Sequence, residues 1–214
     1  MNKYNLPETD RQTETVILAN GEFPSHPIAL SILRCSKYLV CCDGAISNLM
    51  AVDKIPNAIV GDCDSLPEED MIRFASIIHH IPEQETNDLT KAVRFCISQG
   101  RRKITILSAT GKREDHTIAN VSLLCEYIHD ADVEMITDYG VFVAINQDSV
   151  FESYKGQQVS LFCLNRSVVT SRNLVYAINQ RTFTGWWEAT LNESLGDEFV
   201  IETNGPTIVY RTIV

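Results

Sequence analysis

"KITILSATGKREDHTIANVSLLCEYI", residues 103–128, decides how the fold is read. A β-rich run, Lys103 to Leu107, passes through a polar loop into a stretch from His116 to Ile128 whose apolar residues recur at helical spacing. A strand feeding a helix through a short loop is half of a βαβ unit and predicts a parallel sheet covered by helices.

The same alternation extends in both directions. "TVILA", "YLVCC", "NAIVG", "IIHHI" and "VEMIT" read as further strands, and "HPIALSILRCS", "EEDMIRFAS" and "DLTKAVRFCISQ" as further helices. After about residue 140 the pattern changes. "VFVAI", "QQVSLFCL", "NLVYAI", "FVIET" and "TIVYRTIV" are strand-like, separated by Gly, Asn, Ser and Asp, with no long helix between them. The expected fold class is therefore α/β: an N-terminal, mostly parallel sheet flanked by helices over 1–139, then a smaller all-β, sandwich-like domain over 140–214, with the boundary near Tyr139 and Gly140.

With 214 residues, 44% of them hydrophobic, the chain can bury a real core. A net charge of -10 argues against a nonspecific binder of nucleic acid or of an anionic membrane, and the basic run Arg101, Arg102, Lys103 reads as a solvated turn before a strand. The seven cysteines are scattered through apolar segments without a CxxC pair, and the polar N-terminal stretch lacks the apolar run of a signal peptide. Both predict reduced thiols in a cytoplasmic protein.

In an open α/β sheet, ligands bind beyond the carboxyl ends of the strands. Here those ends carry Asn20-Gly21, Asp43-Gly44, Gly61-Asp62-Cys63-Asp64-Ser65, "PEQETND" and "SATGKREDH". Turn and cap chemistry explains any one of these aspartates. Parallel topology, however, brings Asp43, Asp62, Asp64, Asp88 and Asp115 towards one sheet edge. Two carboxylates near 4 Å repel by about 4 kcal/mol at an effective dielectric of 20, so such a cluster calls for spreading, protonation or a bridging cation.

Oxygen-only ligands favour Mg²⁺, which completes its octahedron with waters and substrate phosphates. In an extended segment Asp62 and Asp64 face the same way and reach one ion, while Cys63 turns to the core. The substrate class implied is a nucleotide or another polyphosphate. An EF-hand loop is disfavoured because Pro67 stands where the sixth-position glycine is needed. Lys91 shares a helix face with Asp88, as an ion-pair partner or a phosphate contact, and Arg113 offers a guanidinium. Asp115 is a helix cap, or it orients or deprotonates a hydroxyl; His116 is a helix-start residue or a base. Neither GxxxxGK[ST] nor a strand-following GxGxxG is present, so the phosphate site uses another design.

Taken in order, "CDGA" at 42–45, "GDCDS" at 61–65, "NDLTKAV" at 87–93 and "TGKREDHTIAN" at 110–120 resemble the thiamine pyrophosphokinase family, and the β-rich tail resembles its smaller thiamine-binding domain. The resemblance implies transfer of a pyrophosphoryl group from ATP to the hydroxyl of thiamine. It implies Asp62, Asp64 and Asp88 as magnesium ligands, and Gln84 and Lys91 as nucleotide contacts. Asp43, Arg113, Asp115 and Asn120 are implied around the phosphates and the hydroxyl, and Asn192 and Glu193 at the thiamine pocket. Leu191 stands where the family has serine, with Ser194 close by, and Ser47 where it often has asparagine. A homodimer with its active site between the N-terminal domain and the partner's C-terminal domain is implied as well. One of Trp186 and Trp187, adjacent on an expected strand and so facing opposite sides, is left to stack on the thiazolium ring. Two other readings stay open: a DxD-type nucleotide-sugar transferase, which explains Asp62 and Asp64 only, and a noncatalytic thiamine or nucleotide sensor, motivated by Leu191.

Overall fold

The chain runs through β1 (Asn2–Tyr4), β2 (Thr15–Leu18), α1 (Pro27–Cys35), β3 (Leu39–Cys42), α2 (Ile46–Met50), β4 (Ala58–Gly61), α3 (Glu68–Arg73), β5 (Ile78–His80), α4 (Asp88–Ser98), β6 (Lys103–Leu107), α5 (Glu114–Tyr127) and β7 (Asp132–Ile136). Then follow β8 (Gly140–Ile145), β9 (Ser149–Glu152), β10 (Gln158–Cys163), β11 (Val168–Arg172), β12 (Arg181–Thr182), β13 (Asn192–Glu193), β14 (Glu198–Thr203) and β15 (Thr207–Thr212). This computed structural model describes residues 1–163 and 166–214. Leu164, the end of the expected strand "QQVSLFCL", lies outside the described residues. The chain divides into two compact units, one of residues 9–123 and 129–138, the other of residues 1–8, 124–128 and 139–214.

In the first unit the strands order as β7-β6-β2-β3-β4-β5, every neighbour pair parallel. Strands β2, β3 and β4 are buried at every position, which is why their sequences are continuous apolar runs rather than alternating ones. Helix α4 buries Leu89, Ala92, Val93 and Cys96, spaced at threes and fours, and starts at Asn87, whose side chain accepts the Thr90 N–H at 3.0 Å. Pro27 opens α1 at a position where its missing N–H costs nothing.

Strand order reverses between β2 and β6: the chain builds outward from β2 to β5, then returns to lay β6 and β7 on the other side. The loops leaving β2 and β6 therefore diverge and open a crevice at the carboxyl edge. At its base they are laced together, Ala19 N–H to Leu107 O at 2.9 Å, Gly21 N–H to Ser108 O at 2.6 Å and Glu22 N–H to Thr110 O at 2.8 Å. A Cβ on Gly21 would lie 2.3 Å from both Ser108 O and Thr110 O, so this approach requires glycine.

In the second unit, among the described residues, β1-β9-β14-β11-β12 form one sheet, and β13, β10, β15 and β8 neighbour one another in antiparallel pairs. Burial alternates along β9 and β14, the period of strands with one face on a core. The fully buried Arg211 of β15 reaches across that core to the carbonyls of Tyr4 and Glu152.

Strands expected before residue 140 are β2 to β7, and the expected helices are α1, α3, α4 and α5. The expected strand "NLVYAI" does not form. Asn173 takes φ 63°, and the buried Asn192 amide occupies the Tyr176 main chain, accepting its N–H at 3.0 Å and donating to its carbonyl at 2.8 Å, so this backbone is not paired as a ladder. Only an isolated bridge, Leu174 to Ser194, remains. Residues 1–8 cluster with the second unit because β1 pairs with β9. All seven cysteines are free thiols. Among the described residues no helix is long and apolar enough to cross a membrane.

Candidate active site

Asp43 follows β3 and is only 2% exposed. Its carboxylate accepts the Gly44 N–H at 2.6 Å and the Cys63 N–H at 3.0 Å, so it holds the loop after β4 from beneath. A Cβ on Gly61 would fall 2.7 Å from Asp43 Cγ, and the glycine is what admits the carboxylate there. Cys63 takes φ 64° and is partly exposed, which corrects the expectation of an extended segment with Cys63 turned to the core. The turn still gathers the acids: carboxylate oxygens of Asp43, Asp62 and Asp64 lie within 4.8 Å of one another.

Asp88, expected beside Asp62 and Asp64, is not in that close-set group, and Asp43 is. Lys91 links it to the group: the ammonium, 2% exposed, stands 3.5 Å from Asp62 Oδ2 and 3.2 Å from Asp88 Oδ1. A buried ammonium needs its charge answered, and these two carboxylates answer it. Burial pushes the Lys91 amine down, but the Asp88 hydrogen bond and the charges of Asp88 and Asp62 outweigh it and leave the amine above its usual range.

The three acids are not equivalent. Burial, with Asp88 nearby, pushes Asp43 up to about 6 against the pull of its two backbone N–H bonds. Asp62 is held down to about 2, first by the Gln84 side-chain amide, which donates to it at 2.9 Å, and then by the Asp64 N–H. One carboxylate is thus easily protonated, while its neighbour is firmly ionised.

A cavity of about 440 Å³ opens above the crevice, and Asp62, Gln84, Asp88, Lys91, Arg113 and Asn120 line it. Asp43 and Asp64 adjoin it through the cluster they share with Asp62. Asn120 is a brace as much as a lining residue, since its Nδ2 donates to Ala109 O at 2.8 Å and its Oδ1 accepts from Asn87 at 3.0 Å. Arg113 and Asp115 are exposed and paired, Arg113 Nε to Asp115 Oδ1 at 3.0 Å. That pairing, with the His116 N–H, holds Asp115 down to about 2. His116 lines the cavity.

Asn192 and Glu193 lie in the second unit. Asn192 is spent on Tyr176 and on the Glu193 N–H, and Glu193 accepts from Gln158 at 3.4 Å. Leu191 is 77% exposed. Trp186 and Trp187 sit in a turn rather than on a strand, because the Glu188 carboxylate collects the N–H groups of Thr184 and Gly185 and closes the chain on itself. Trp186 packs edge-on to Phe162, while Trp187 is 79% exposed, so strand alternation does not decide their facing.

Lys112 and Asn20 also line the cavity; the sequence marks Asn20 only by its place after β2 and Lys112 only as part of the loop after β6, with no role for either. Their only sequence signal is position, each on a loop that leaves the carboxyl end of a strand.

Fold and site together define an α/β unit with an acidic, cation-lined crevice where its strand order reverses, followed in the chain by a β-rich unit. Residues 29–137 match the family model described as thiamin pyrophosphokinase, catalytic domain, and residues 140–210 match thiamin pyrophosphokinase, substrate-binding domain. The chain belongs to the thiamin pyrophosphokinase family. Thiamin pyrophosphokinase 1 of Caenorhabditis elegans is 27% identical over 143 residues, which are 60% of this chain and 57% of that relative, so the chain spans little more than half of its length. In fold the chain is similar to thiamin pyrophosphokinase from Candida albicans, with a TM-score of 0.81 at 18% identity over 100% of this chain and 93% of that one. It is similar also to thiamine pyrophosphokinase from Bacillus subtilis, with a TM-score of 0.76 at 18% identity over 93% and 99%. These findings support neither the nucleotide-sugar transferase nor the sensor reading.

Proposed function

We propose that the chain transfers the pyrophosphoryl group of ATP to the hydroxyl of thiamine, giving thiamine diphosphate and AMP. The observation that carries this reading is the meeting of Asp43, Asp62 and Asp64 within 4.8 Å, beside a buried lysine in a 440 Å³ cavity. In this reading residues 1–139 are the ATP- and magnesium-binding catalytic domain and residues 140–214 the thiamine-binding domain.

The donor set fits magnesium: it is all oxygen, and one member, Asp43, is a buried carboxylate whose hydrogen bonds come from two neutral backbone N–H groups. Asp62, Asp64 and Asp43 would hold the ion, with Asp88 alongside through Lys91, and it would neutralise phosphate charge and polarise the phosphoryl oxygens. Lys91 and Arg113 offer cations to the charge that builds on those oxygens during transfer. Gln84 keeps Asp62 ionised and aimed, and Asn120 fixes the loop after β6. The thiamine oxygen bonds to the β-phosphorus, the bridging bond to the α-phosphate oxygen breaks, and AMP leaves with that oxygen. At a pKa of about 2 Asp115 is a weak base, so its role is to orient the hydroxyl and Arg113, and the proton passes to solvent.

Assembly as a homodimer, with Asn192 and Glu193 of one copy completing the other's site, is part of the proposal. Exposed apolar side chains of the second unit, Tyr176, Trp187, Leu191 and Leu195, support it. A cytoplasmic location is proposed on the free thiols; a fluorescent fusion outside the cytoplasm would refute it.

Mass spectrometry of products from thiamine, ATP and Mg²⁺ tests the whole reading. Thiamine diphosphate and AMP are expected, with Asp64→Ala lowering turnover at least about a hundredfold while folding normally. Mixing Asp64→Ala chains with Glu193→Ala chains should recover part of the activity if the site is shared between copies. Wild-type turnover in Asp64→Ala overturns the metal assignment, and no recovery overturns the shared site.

A further inference from the structure

Lys112 lines the cavity on the loop after β6, and its ammonium reaches across the crevice to the loop after β2, donating to Asn20 O at 3.1 Å and Asn20 Oδ1 at 3.2 Å. Those two loops flank the point where strand order reverses, the place where open α/β sheets bind ligands. The charge balance of the three cavity cations is uneven. Lys91 is answered by Asp62 and Asp88 and Arg113 by Asp115, whereas Lys112 forms no ion pair among the described residues and rests on neutral oxygens. An ammonium held only by an amide and a carbonyl gives up little when it turns to an anionic oxygen and gains a charge-assisted bond. Its backbone is strained as well: Lys112 takes φ 61°, a conformation that glycine adopts at no cost.

We propose that Lys112 binds the polyphosphate chain of the nucleotide, as a third cation on the wall opposite the acidic cluster, exchanging Asn20 for a phosphate oxygen when nucleotide enters. The inference rests on the proposed function for its ligand class. It adds a binding residue that sets affinity for nucleotides with a long phosphate chain.

The probe is α,β-methylene-ATP, whose α–β bridge cannot be cleaved, titrated calorimetrically into the full chain in the presence of Mg²⁺. Lys112→Gln keeps an N–H donor for Asn20 and removes the charge. It should weaken binding about ten- to a hundredfold, the range of one hydrogen bond to a charged group, with the melting temperature unchanged. Lys112→Arg restores a cation and should bind within about threefold of wild type. A purely structural role predicts the reverse, with Lys112→Gln binding like wild type, and that result overturns the proposal. Binding is read separately from turnover. A wild-type chain that binds the analogue but makes no AMP with thiamine overturns the proposed function and leaves Lys112 to the binding ratio. Active wild type with an unaffected Lys112→Gln overturns the Lys112 assignment alone, and absence of binding by wild type overturns both.

Discussion

Asp43 is a carboxylate placed where its charge is costly and its hydrogen bonds are useful. Folding raises its pKa from 3.8 to about 6, so between these values the folded chain holds a proton that the unfolded chain has released. Stability therefore falls as pH rises through that window and stays lower above it. Asparagine in its place cannot ionise, and it loses the acceptor for the Cys63 N–H that sets the Asp62–Asp64 turn. Asp43→Asn should gain on the order of 1 kcal/mol at pH 7 without divalent ions, show a flatter pH profile between 4 and 6, and lose most magnesium-dependent turnover. Urea midpoints across pH measure the stability change and AMP release with Mg²⁺ the turnover, and a variant less stable at pH 7 would show that the hydrogen-bond clamp outweighs the buried charge. Asp43 was readable in the sequence as one acid among several at a sheet edge. Its hold on a backbone N–H twenty residues away was not, because that contact exists only once β3 and β4 are paired. Lys112 was hidden for the same reason, its partner Asn20 being 92 residues off.

Elements were legible where one periodicity ran long enough to bury a face. Helix α4 announces itself through Leu89, Ala92, Val93 and Cys96, and β2, β3 and β4 through apolar runs buried on both sides. Helix α2 has five residues and β12 two, too few to show a period. "NLVYAI" has strand composition but surrenders both hydrogen bonds of Tyr176 to a side chain, which no local pattern records. Element ends obey the same logic of distant partners. The N-terminus of α1 is capped by His26, whose Nδ1 accepts the Ile28 N–H at 3.3 Å, and the turn that enters it is held by Asp138, just after β7, whose carboxylate accepts the N–H groups of Ser25 and His26, each at 3.0 Å. Burial pushes the Asp138 carboxyl up, but the Ser25 hydroxyl and these N–H groups outweigh it and hold it below the usual range. Its folded pKa being depressed, the stability it contributes is present above the ordinary carboxylate value and is lost as pH falls through the folded one. Asp138→Ala should cost about 1.5 kcal/mol or more at pH 7, the size of a lost hydrogen bond to a charged acceptor, and the gap from wild type should close in acid. Thermal melts at pH 7 and pH 3 check this; a gap that is unchanged in acid would mean that packing, not the charged acceptor, is being measured.

Across the whole chain, the two ends of the sequence meet in the second unit. Strand β1 lies parallel to β9, Tyr4 stacks on Phe151 with ring centres 5.1 Å apart, and Phe151 stacks on Phe199 at the same distance. Arg211, three residues from the last, lies over the Phe151 ring and donates to Tyr4 O at 3.1 Å, Asn5 O at 3.1 Å and Glu152 O at 2.6 Å. A guanidinium 1% exposed is tolerable because carbonyl dipoles surround it, and two of those carbonyls belong to the N-terminal segment. Removing that segment therefore does two things: it bares the β9 edge and it strips a buried charge of acceptors. A chain lacking residues 1–5 should be destabilised by about 3 kcal/mol or more in the wild-type background. In an Arg211→Met background, where methionine fills much of the volume and carries no charge to satisfy, the same truncation should cost distinctly less. The four proteins form a double-mutant cycle, read from denaturant midpoints of the second unit's unfolding, with a coupling of about 1–3 kcal/mol expected. Strictly additive losses would mean that β1 stabilises the sheet through its own pairing and that the cation merely lies beside it.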